Sequence, residues 1–334
     1  MEQTSTSTPR LVVSDFAFAP ADRQRLATVL GASALLVVEG HQALREALGA
    51  HRETDVVCSF RPPSDVLQFA PNLRWLAQPS AGIEHLVELG LVRVGGPVVT
   101  TATGIHAVPI GEFVLGLMLQ WARHWPTMYA LRRERAWPDH AGWEALRGRE
   151  LAGATLGVIG LGAIGRQVAR FGRALGMRVL AVRQSARPGD HDSDADELLG
   201  PDQLGRLLGA AEYVVIAVPS TPATHHLIGA AQLAQMRPTA FLINIARGAL
   251  VDEAALIAAL RAGQLAGAGL DVFAEEPLPP ESPLWGMPNV VLSPHLAGAT
   301  DRYSQRFTDL FIENIGRWRA GQPLRNQVDP TRGY

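Results

Sequence analysis

Short apolar runs alternate with amphipathic segments along most of the chain. The segments between the apolar runs, such as Arg23–Leu30 and Gln42–Leu48, place their apolar residues at helical spacing. This alternation is typical of parallel sheets joined by helical crossovers, so we predict an α/β fold with two doubly wound parallel sheets. The predicted strands are Leu11–Val13, Leu35–Val38, Val56–Ser59, Arg74–Ala77, Val98–Thr101, Thr155–Ile159, Arg178–Val182, Tyr213–Val218, Ala240–Asn244, Gly267–Asp271 and Val290–Leu292.

Longer segments complete the predicted organisation. Residues 109–135 are predicted to form one long helix that bridges two domains, and a loop rich in Pro, Gly and Trp follows at 137–153. The acidic stretch at 190–196 is predicted to be a solvated loop, and 301–320 a final amphipathic helix. Because a chain of 334 residues is longer than most chains that form a single hydrophobic core, we expect two domains.

Charge and composition argue against a macromolecular partner. The formal net charge is −2, and no stripe of basic residues with interleaved aromatic residues occurs, so we expect no nucleic-acid binding. No apolar run is long enough to span a membrane, so we expect no membrane partner. Residues 1–9 lack the cationic and apolar regions of a signal peptide. We therefore expect a frayed N-terminal tail on a cytoplasmic protein.

The basic residues and the one cysteine exclude several kinds of site. All 30 basic residues are arginine, which excludes a Schiff-base lysine, a pyridoxal-phosphate anchor and a phosphate-loop lysine. The single cysteine, Cys58, excludes an internal disulfide and a cysteine-built zinc site. Its apolar neighbours favour an inert thiol in a buried strand, and a catalytic thiol is the alternative.

A glycine-rich turn carries the first functional signal. Gly160, Gly162 and Gly165 form a Gly-x-Gly-x-x-Gly pattern that follows a predicted strand and opens a predicted helix through Ala163 and Ile164. The first glycine permits a tight turn, the second lets the backbone approach a pyrophosphate, and the third lets helix and strand pack closely. The helix N-terminus offers free N–H groups to phosphates. We predict a dinucleotide site, the alternative being a βα turn that binds nothing.

The end of the next strand bears on the choice of coenzyme. Arg183 stands where an acidic residue would bind the ribose 2′-hydroxyl of NAD, and Gln184 and Ser185 follow it. A guanidinium there pairs with a 2′-phosphate, so we expect NADP, with NAD still possible. The alternative is a solvated arginine with no influence on the coenzyme.

Three later strands are followed by polar residues. Arg247, Glu276 and His295 each come shortly after a predicted strand, and ligands of open α/β sheets gather beyond the carboxyl ends of strands. Reduction of a 2-oxo acid needs a cation for the carboxylate and a proton donor for the forming alkoxide, and a carboxylate beside that donor stabilises its charged form. Taken singly, they could be a surface or capping arginine, a loop carboxylate and a core histidine.

These segments resemble the D-isomer-specific 2-hydroxyacid dehydrogenase family along nearly the whole chain. Leu242–Asp252 resembles its arginine signature, Gly269–Pro277 its glutamate signature and Ser293–Leu296 its histidine signature. Ser80–Ile83 resembles its substrate loop, and a plain βα turn is the alternative for that loop. Arg183 departs from the family's usual aspartate and resembles the NADPH-using glyoxylate and hydroxypyruvate reductases.

The resemblance implies an enzyme that reduces glyoxylate- or hydroxypyruvate-like 2-oxo acids to D-2-hydroxy acids. It implies Arg247, Glu276 and His295 as catalytic residues, and the backbone of Ala81 and Gly82, with Arg247, as the substrate site. It further implies a homodimer whose flavodoxin-like substrate domain is 1–111 with 299–334 and whose Rossmann domain is 112–298. The implied coenzyme contacts are Gly160, Gly162, Ala163, Ile164, Gly165, Arg183, Gln184, Ser185, Val218, Pro219, Thr224, Ile245, Ala246, Asp271 and His295.

Two other functions fit parts of the sequence. A dinucleotide-sensing, corepressor-like binding protein of the same fold is the main alternative, which the intact Arg, Glu and His set disfavours. A metalloenzyme is the second, and we expect no metal site. The adjacent pair His225 and His226 lacks the i, i+4 spacing of helical zinc ligands.

Overall fold

The computed structural model describes residues 9–331, and the expected frayed tail at 1–9 lies outside the described residues except for Pro9. The described chain divides into two compact units. Unit 1 extends to Ile105 and resumes at Thr300, and unit 2 is His106–Ala299.

Unit 1 is built on a five-stranded parallel sheet with strand order β2-β1-β3-β4-β5. This order reverses direction between β1 and β3, as in flavodoxin-like domains. Two hydrophobic clusters, one containing Val12 and Trp75 and the other Val13 and Leu76, cover its two faces. The strands are β1 Val12–Ser14, β2 Leu35–Val37, β3 Val56–Cys58, β4 Trp75–Ala77 and β5 Val98–Thr100. The helices are α1 Pro20–Leu30, α2 Gly40–Ala50, α3 Val66–Phe69, α4 Glu84–Glu88 and α12 Tyr303–Arg319, with a 3-10 turn at Ala32–Ala34.

Unit 2 is built on a seven-stranded parallel sheet with strand order β12-β11-β10-β9-β6-β7-β8. The direction reverses between β6 and β9, which is the switch point of a Rossmann sheet. The strands are β6 Thr155–Ile159, β7 Arg178–Val182, β8 Glu197–Leu199, β9 Tyr213–Ile216, β10 Phe241–Asn244, β11 Gly267–Leu270 and β12 Val290–Leu292. The helices are α5 Ala107–Ala122, α6 Trp125–Glu134, α7 His140–Ala145, α8 Ala163–Ala174, α9 Leu204–Ala210, α10 Ala230–Leu233 and α11 Glu253–Arg261, with 3-10 turns at Pro201–Gln203, Gly248–Leu250 and Pro283–Gly286.

The predicted α/β class with two doubly wound parallel sheets is confirmed. Neighbouring residues of one strand belong to opposite clusters of unit 2, as Val158 and Ile159 do, so both faces of this sheet are covered. A sheet buried on both faces explains why its strands are nearly continuous apolar runs. Strand β8 was not predicted, because Glu197–Leu199 is short and starts with a charged residue.

The prediction of one long helix over 109–135 is wrong. Helix α5 ends at Ala122, His124 takes a left-handed conformation with φ of 52°, and α6 starts at Trp125. Pro126 explains the break, because its ring lacks an N–H and would clash with the carbonyl of Ala122 in a continuous helix. Both helices belong to unit 2, so this segment does not bridge two units.

The predicted domain boundaries, after residues 111 and 298, stay predictions, and the two compact units are divided at nearby but different positions. Unit 1 stops after Ile105, whereas the boundary was predicted after residue 111, and unit 2 extends to Ala299. The difference at 105 arises because helix α5 is a single packed element. Its residues Ile110, Val114 and Leu117 are buried together in the core of unit 2.

Candidate active site

The glycine-rich turn connects β6 to α8 at the switch point of the unit 2 sheet. Gly160 has a φ of 98°, and a Cβ atom there would lie 2.6 Å from the carbonyl oxygen of Ala217. A Cβ on Gly165 would lie 1.9 Å from the carbonyl oxygen of Gly160. Both positions therefore require glycine, the first for the turn and the second for close packing of helix against strand.

The second glycine leaves space for a ligand. Nothing lies within 4 Å of a Cβ built on Gly162, which is the N-terminal flanking residue of α8. The N–H groups in the first turn of this twelve-residue helix have no partner within the helix. An open backbone position before a helix N-terminus fits a pyrophosphate, so these residues suit a nicotinamide dinucleotide. The contacts of Ala163 and Ile164 with the coenzyme stay a prediction.

Arg183 follows β7 directly and lies beside the glycine turn, because the N–H of Gly160 donates to the carbonyl of Val182 (2.9 Å). Its side chain is 30% exposed, and its Nη1 lies 3.1 Å from Oδ2 of Asp192. Arg183 is therefore not a freely solvated loop residue. Gln184 and Ser185 are exposed in a turn closed by a hydrogen bond from the Ala186 N–H to the Arg183 carbonyl (3.0 Å).

The prediction that 190–196 is a solvated acidic loop is wrong for two of its residues. The Asp192 and Asp194 side chains are only 8% and 10% exposed, and both pair with arginines on α8. Hydrogen bonding to Arg166 holds the pKa of Asp192 below its usual value, and hydrogen bonding to Arg170 does the same to the pKa of Asp194. These two aspartates are therefore buried members of an ion-pair cluster whose arginines remain partly exposed.

The loop after β9 closes on itself next to the glycine turn. The hydroxyl of Thr224 accepts the Thr221 N–H and donates to the Pro219 carbonyl, both at 2.8 Å. A Cβ on Gly160 would lie 2.7 Å from Cγ1 of Val218, so this loop and the turn are in close contact. Thr224 therefore has a structural role, and its contact with a coenzyme stays a prediction, as do those of Val218 and Pro219.

Asn244 shapes the loop that carries Arg247. Its buried amide donates to the Arg247 carbonyl (2.9 Å) and accepts the Ala246 N–H (3.1 Å). A Cβ on Gly248 would lie 1.9 Å from the Phe273 carbonyl oxygen. The backbone after Arg247 is therefore pressed against the backbone that leads to Glu276. Ile245 is buried, and the predicted coenzyme contacts of Ile245 and Ala246 stay predictions.

His295 and Glu276 are in direct contact. The imidazole Nδ1 lies 2.7 Å from Oε2 of Glu276, while Oε1 of the same carboxylate accepts the Phe273 N–H (3.0 Å). The side chains are 51% and 36% exposed in unit 2. The carboxylate is therefore anchored at one oxygen and orients the histidine with the other, so that only Nδ1 of the imidazole contacts Glu276.

Asp271 fixes the backbone around His295. Its buried carboxylate accepts the N–H groups of Leu296 (2.8 Å) and Ala297 (2.9 Å), and its carbonyl accepts the His295 N–H (2.9 Å). An ionised carboxylate has further acceptor positions, so this role leaves room for the predicted contact with the nicotinamide carboxamide.

At the predicted substrate loop of unit 1, backbone carbonyl groups accept hydrogen bonds from other residues of the same unit. The Tyr303 hydroxyl donates to the Pro79 carbonyl, the Ala102 N–H to that of Ser80 (3.0 Å), and the Ser80 hydroxyl to that of Gly82 (3.2 Å). Within residues 9–331, no protein acceptor is found for the N–H groups of Ala81 and Gly82. Two adjacent free N–H groups are suited to an anion.

Sequence reasoning missed several residues that hold these loops. Asn244, Glu253, Tyr303 and Asp192 act through tertiary hydrogen bonds, Glu253 by accepting the Ala274 N–H (3.0 Å). The only local signal was the pair Asp252 and Glu253 at the start of α11, which is also typical of helix capping.

Among the described residues, no group of three or more His, Cys, Asp or Glu side chains has a metal-binding arrangement, and no helix has the length and apolar character of a membrane span.

Comparisons with known proteins point to one family. Residues 115–297 match the model of the D-isomer specific 2-hydroxyacid dehydrogenase, NAD binding domain. The glyoxylate reductase of Aeropyrum pernix is 37% identical over 290 residues, covering 84% of this chain and 85% of the relative. The glyoxylate/hydroxypyruvate reductase B of Pectobacterium atrosepticum is 37% identical over 273 residues, covering 80% and 82%. The crystal structure of a D-isomer specific 2-hydroxyacid dehydrogenase from Xanthobacter autotrophicus Py2 in complex with NADPH and MES superposes with a TM-score of 0.79 at 32% identity, covering 98% of this chain and 100% of that one.

Proposed function

Because this chain belongs to the D-isomer-specific 2-hydroxyacid dehydrogenase family, we propose that it reduces small 2-oxo acids of the glyoxylate and hydroxypyruvate kind to D-2-hydroxy acids. The observation that carries this proposal is the 2.7 Å contact between His295 and Glu276 on a backbone fixed by Asp271. A histidine held by a carboxylate at one ring nitrogen is arranged to deliver a proton from the other.

His295 is the proposed proton donor. When bound, the nicotinamide dinucleotide supplies the hydride to the carbonyl carbon of the substrate. The imidazolium Nε2 of His295 protonates the carbonyl oxygen, and Glu276 stabilises the charged ring before transfer. The fixed position of Nδ1 against Oε2 determines which nitrogen carries the proton to be transferred.

Arg247 and the loop at Ala81 and Gly82 are the proposed carboxylate-binding groups. The guanidinium of Arg247 provides a planar pair of donors, and the free N–H groups of the loop provide two more. Residues 1–111 with 299–334 then serve as the substrate domain and 112–298 as the dinucleotide-binding domain. This division is supported by the location of the loop in unit 1 and of the glycine turn in unit 2.

NADPH is the favoured coenzyme, and NADH is a possible second one. The open backbone at Gly162 and the guanidinium of Arg183 beside the glycine turn support this assignment. A carboxylate in the place of Arg183 would repel the 2′-phosphate of NADPH.

A homodimer in the cytoplasm is the proposed state of the enzyme. Large apolar side chains are exposed over 125–143, and Trp137 is 95% exposed, which favours coverage by a second copy. The one cysteine, Cys58, is buried and unpaired, so no disulfide requires an oxidising compartment.

Coenzyme oxidation with a panel of 2-oxo acids tests the proposal. We expect turnover with glyoxylate or hydroxypyruvate, faster with NADPH than with NADH. We expect His295→Ala to lower the rate by about 10²–10⁴-fold, with coenzyme binding measured in parallel. A protein that binds NADPH and oxidises it with no member of the panel would instead be the dinucleotide-sensing, corepressor-like binding protein, and the enzymatic proposal would fail.

A further inference from the structure

Arg183 belongs to a cluster of five charged residues next to the glycine turn. Arg166 on α8 makes a bidentate pair with Asp192, with N–O distances of 2.7 and 2.8 Å. Arg170 makes two hydrogen bonds to Asp194 (2.9 and 3.2 Å), and Arg166 adds a third (2.9 Å). Arg183 joins the cluster through Asp192 alone.

The charge balance of this cluster leaves Arg183 available to an anion. Three arginines and two aspartates give one positive charge in excess. Both carboxylates are already matched by the α8 arginines, because Asp192 is bidentate with Arg166 and Asp194 has Arg170 and Arg166. The unmatched charge is therefore that of Arg183.

The hydrogen bonds of Arg183 point to the same conclusion. Of its guanidinium atoms, Nη1 donates to Oδ2 of Asp192, whereas the buried Nε has no acceptor among the described residues. A guanidinium has five N–H donors in a rigid fork. Asp192 therefore binds one nitrogen of the Arg183 guanidinium, and other N–H donors of that group remain available to a ligand.

We infer that Asp192 is a positioning residue for the coenzyme, which fixes the guanidinium of Arg183 to bind the 2′-phosphate that distinguishes NADPH from NADH. This inference rests on the proposed function and adds a second residue to coenzyme selection. The Asp192 carboxylate links α8 to the end of β7, because its Oδ2 accepts hydrogen bonds from both Arg166 (2.8 Å) and Arg183 (3.1 Å). The backbone of Arg183 is fixed separately by its N–H bond to the Leu199 carbonyl (3.1 Å).

The opposite effect is the competing interpretation. A carboxylate 3.1 Å from a guanidinium could instead compete with a phosphate for it and weaken NADPH binding. The two interpretations differ in sign. Positioning requires NADP⁺ affinity to fall when Asp192 is changed, whereas competition requires it to rise.

Calorimetric titration of the full-length protein with NADP⁺ and NAD⁺ separates these outcomes without turnover. The two coenzymes differ only in the 2′-phosphate, so a selective effect reports that group. We expect Arg183→Ala to lower NADP⁺ affinity about ten- to a hundredfold, and Asp192→Asn to lower it about tenfold, with NAD⁺ affinity changed by less than about twofold. Asp192→Asn keeps the Oδ1 acceptor of Arg166 and of the Asp194 N–H but removes the anionic Oδ2.

Two further variants serve as controls. Asp194→Asn removes the same charge from the same cluster without touching Arg183, so we expect NADP⁺ affinity within about twofold of the wild type. Asp192→Glu keeps the charge but displaces the carboxylate by one methylene, so we expect a selective loss of NADP⁺ affinity. If thermal unfolding shows that Asp192→Asn does not fold, the Asp192→Glu variant still tests the positioning role.

Several results would overturn the inference. Tighter NADP⁺ binding by Asp192→Asn would establish competition, and an equal loss of NAD⁺ and NADP⁺ affinity would indicate a role in folding only. Unchanged NADP⁺ affinity in Asp192→Glu would show that the position of the carboxylate does not matter, which contradicts a positioning role. If Arg183→Ala leaves NADP⁺ affinity unchanged, the coenzyme assignment itself fails, whereas a failure confined to the Asp192 variants refutes this inference alone.

Discussion

Replacing Glu276 by glutamine isolates the electrostatic contribution of the carboxylate beside His295. The variant preserves the size of the side chain and an acceptor for the Phe273 N–H, and it removes the charge next to Nδ1. Two opposite charges about 4 Å apart attract by about 1 kcal/mol in water and about 4 kcal/mol at an effective dielectric constant of 20. Because the two side chains are 51% and 36% exposed in unit 2, we expect a value between these limits. A loss of about 1–3 kcal/mol corresponds to a decrease of roughly 5- to 150-fold in kcat/KM.

The assay is NADPH oxidation with glyoxylate or hydroxypyruvate, measured in a double-mutant cycle. If Glu276 acts through the imidazole, Glu276→Gln should lower the rate of His295→Ala by less than about threefold, because the partner is already absent. Glu275→Gln is the matched control, since Glu275 is an exposed neighbour of the same type. Independent, multiplicative losses at Glu276 and His295 would refute the reasoning, as would an equal loss in Glu275→Gln.

Two more predictions concern the backbone and the thiol. Gly248→Ala should destabilise the protein by about 1–3 kcal/mol and reduce turnover, because the added Cβ would lie 1.9 Å from the Phe273 carbonyl oxygen and would separate the Arg247 and Glu276 loops. Denaturant unfolding and kinetics check this, with Gly316→Ala as a control, because a Cβ at that helical position meets nothing within 4 Å. Burial raises the pKa of the Cys58 thiol well above its usual range, so the thiol stays protonated at neutral and mildly alkaline pH. We expect no labelling by a thiol reagent in the native protein and one equivalent after denaturation, and rapid native labelling would contradict the inert-core interpretation.

Most of the fold could be predicted because its signals are local. The strand β6 is an apolar run that ends at a glycine turn, and the predicted bounds Thr155–Ile159 are those observed. The break at His124 was missed although its cause, Pro126, is visible in the sequence, because the apolar periodicity on both sides suggested a continuous helix. The strand β8 was missed because its residues are held by pairing with β7 rather than by an apolar pattern.

The candidate site could likewise be predicted from the sequence only in part. The residues proposed to carry the chemistry, such as His295 and Arg247, follow strands and were selected by residue type and position. Residues that hold them are far away in sequence, as Asp192 is from Arg166 and Tyr303 from Pro79. An aspartate in an acidic stretch has the same local pattern whether it is solvated or buried against arginines. Only the tertiary fold brings a partner to it, which is why the stretch at 190–196 was misjudged.

The order of the strands explains how His295, the proposed proton donor, is positioned. Strands β10, β11 and β12 are neighbours in the sheet, so the loops that carry Arg247, Glu276 and His295 leave it side by side. His295 itself has a φ of 56°, a left-handed conformation that costs a non-glycine residue about 1–2 kcal/mol. The hydrogen bonds from His295, Leu296 and Ala297 to Asp271 at the end of β11 offset this cost. His295 is therefore held by the residue that follows the neighbouring strand, and we expect a substitution of Asp271 to displace His295 even when no ligand is bound.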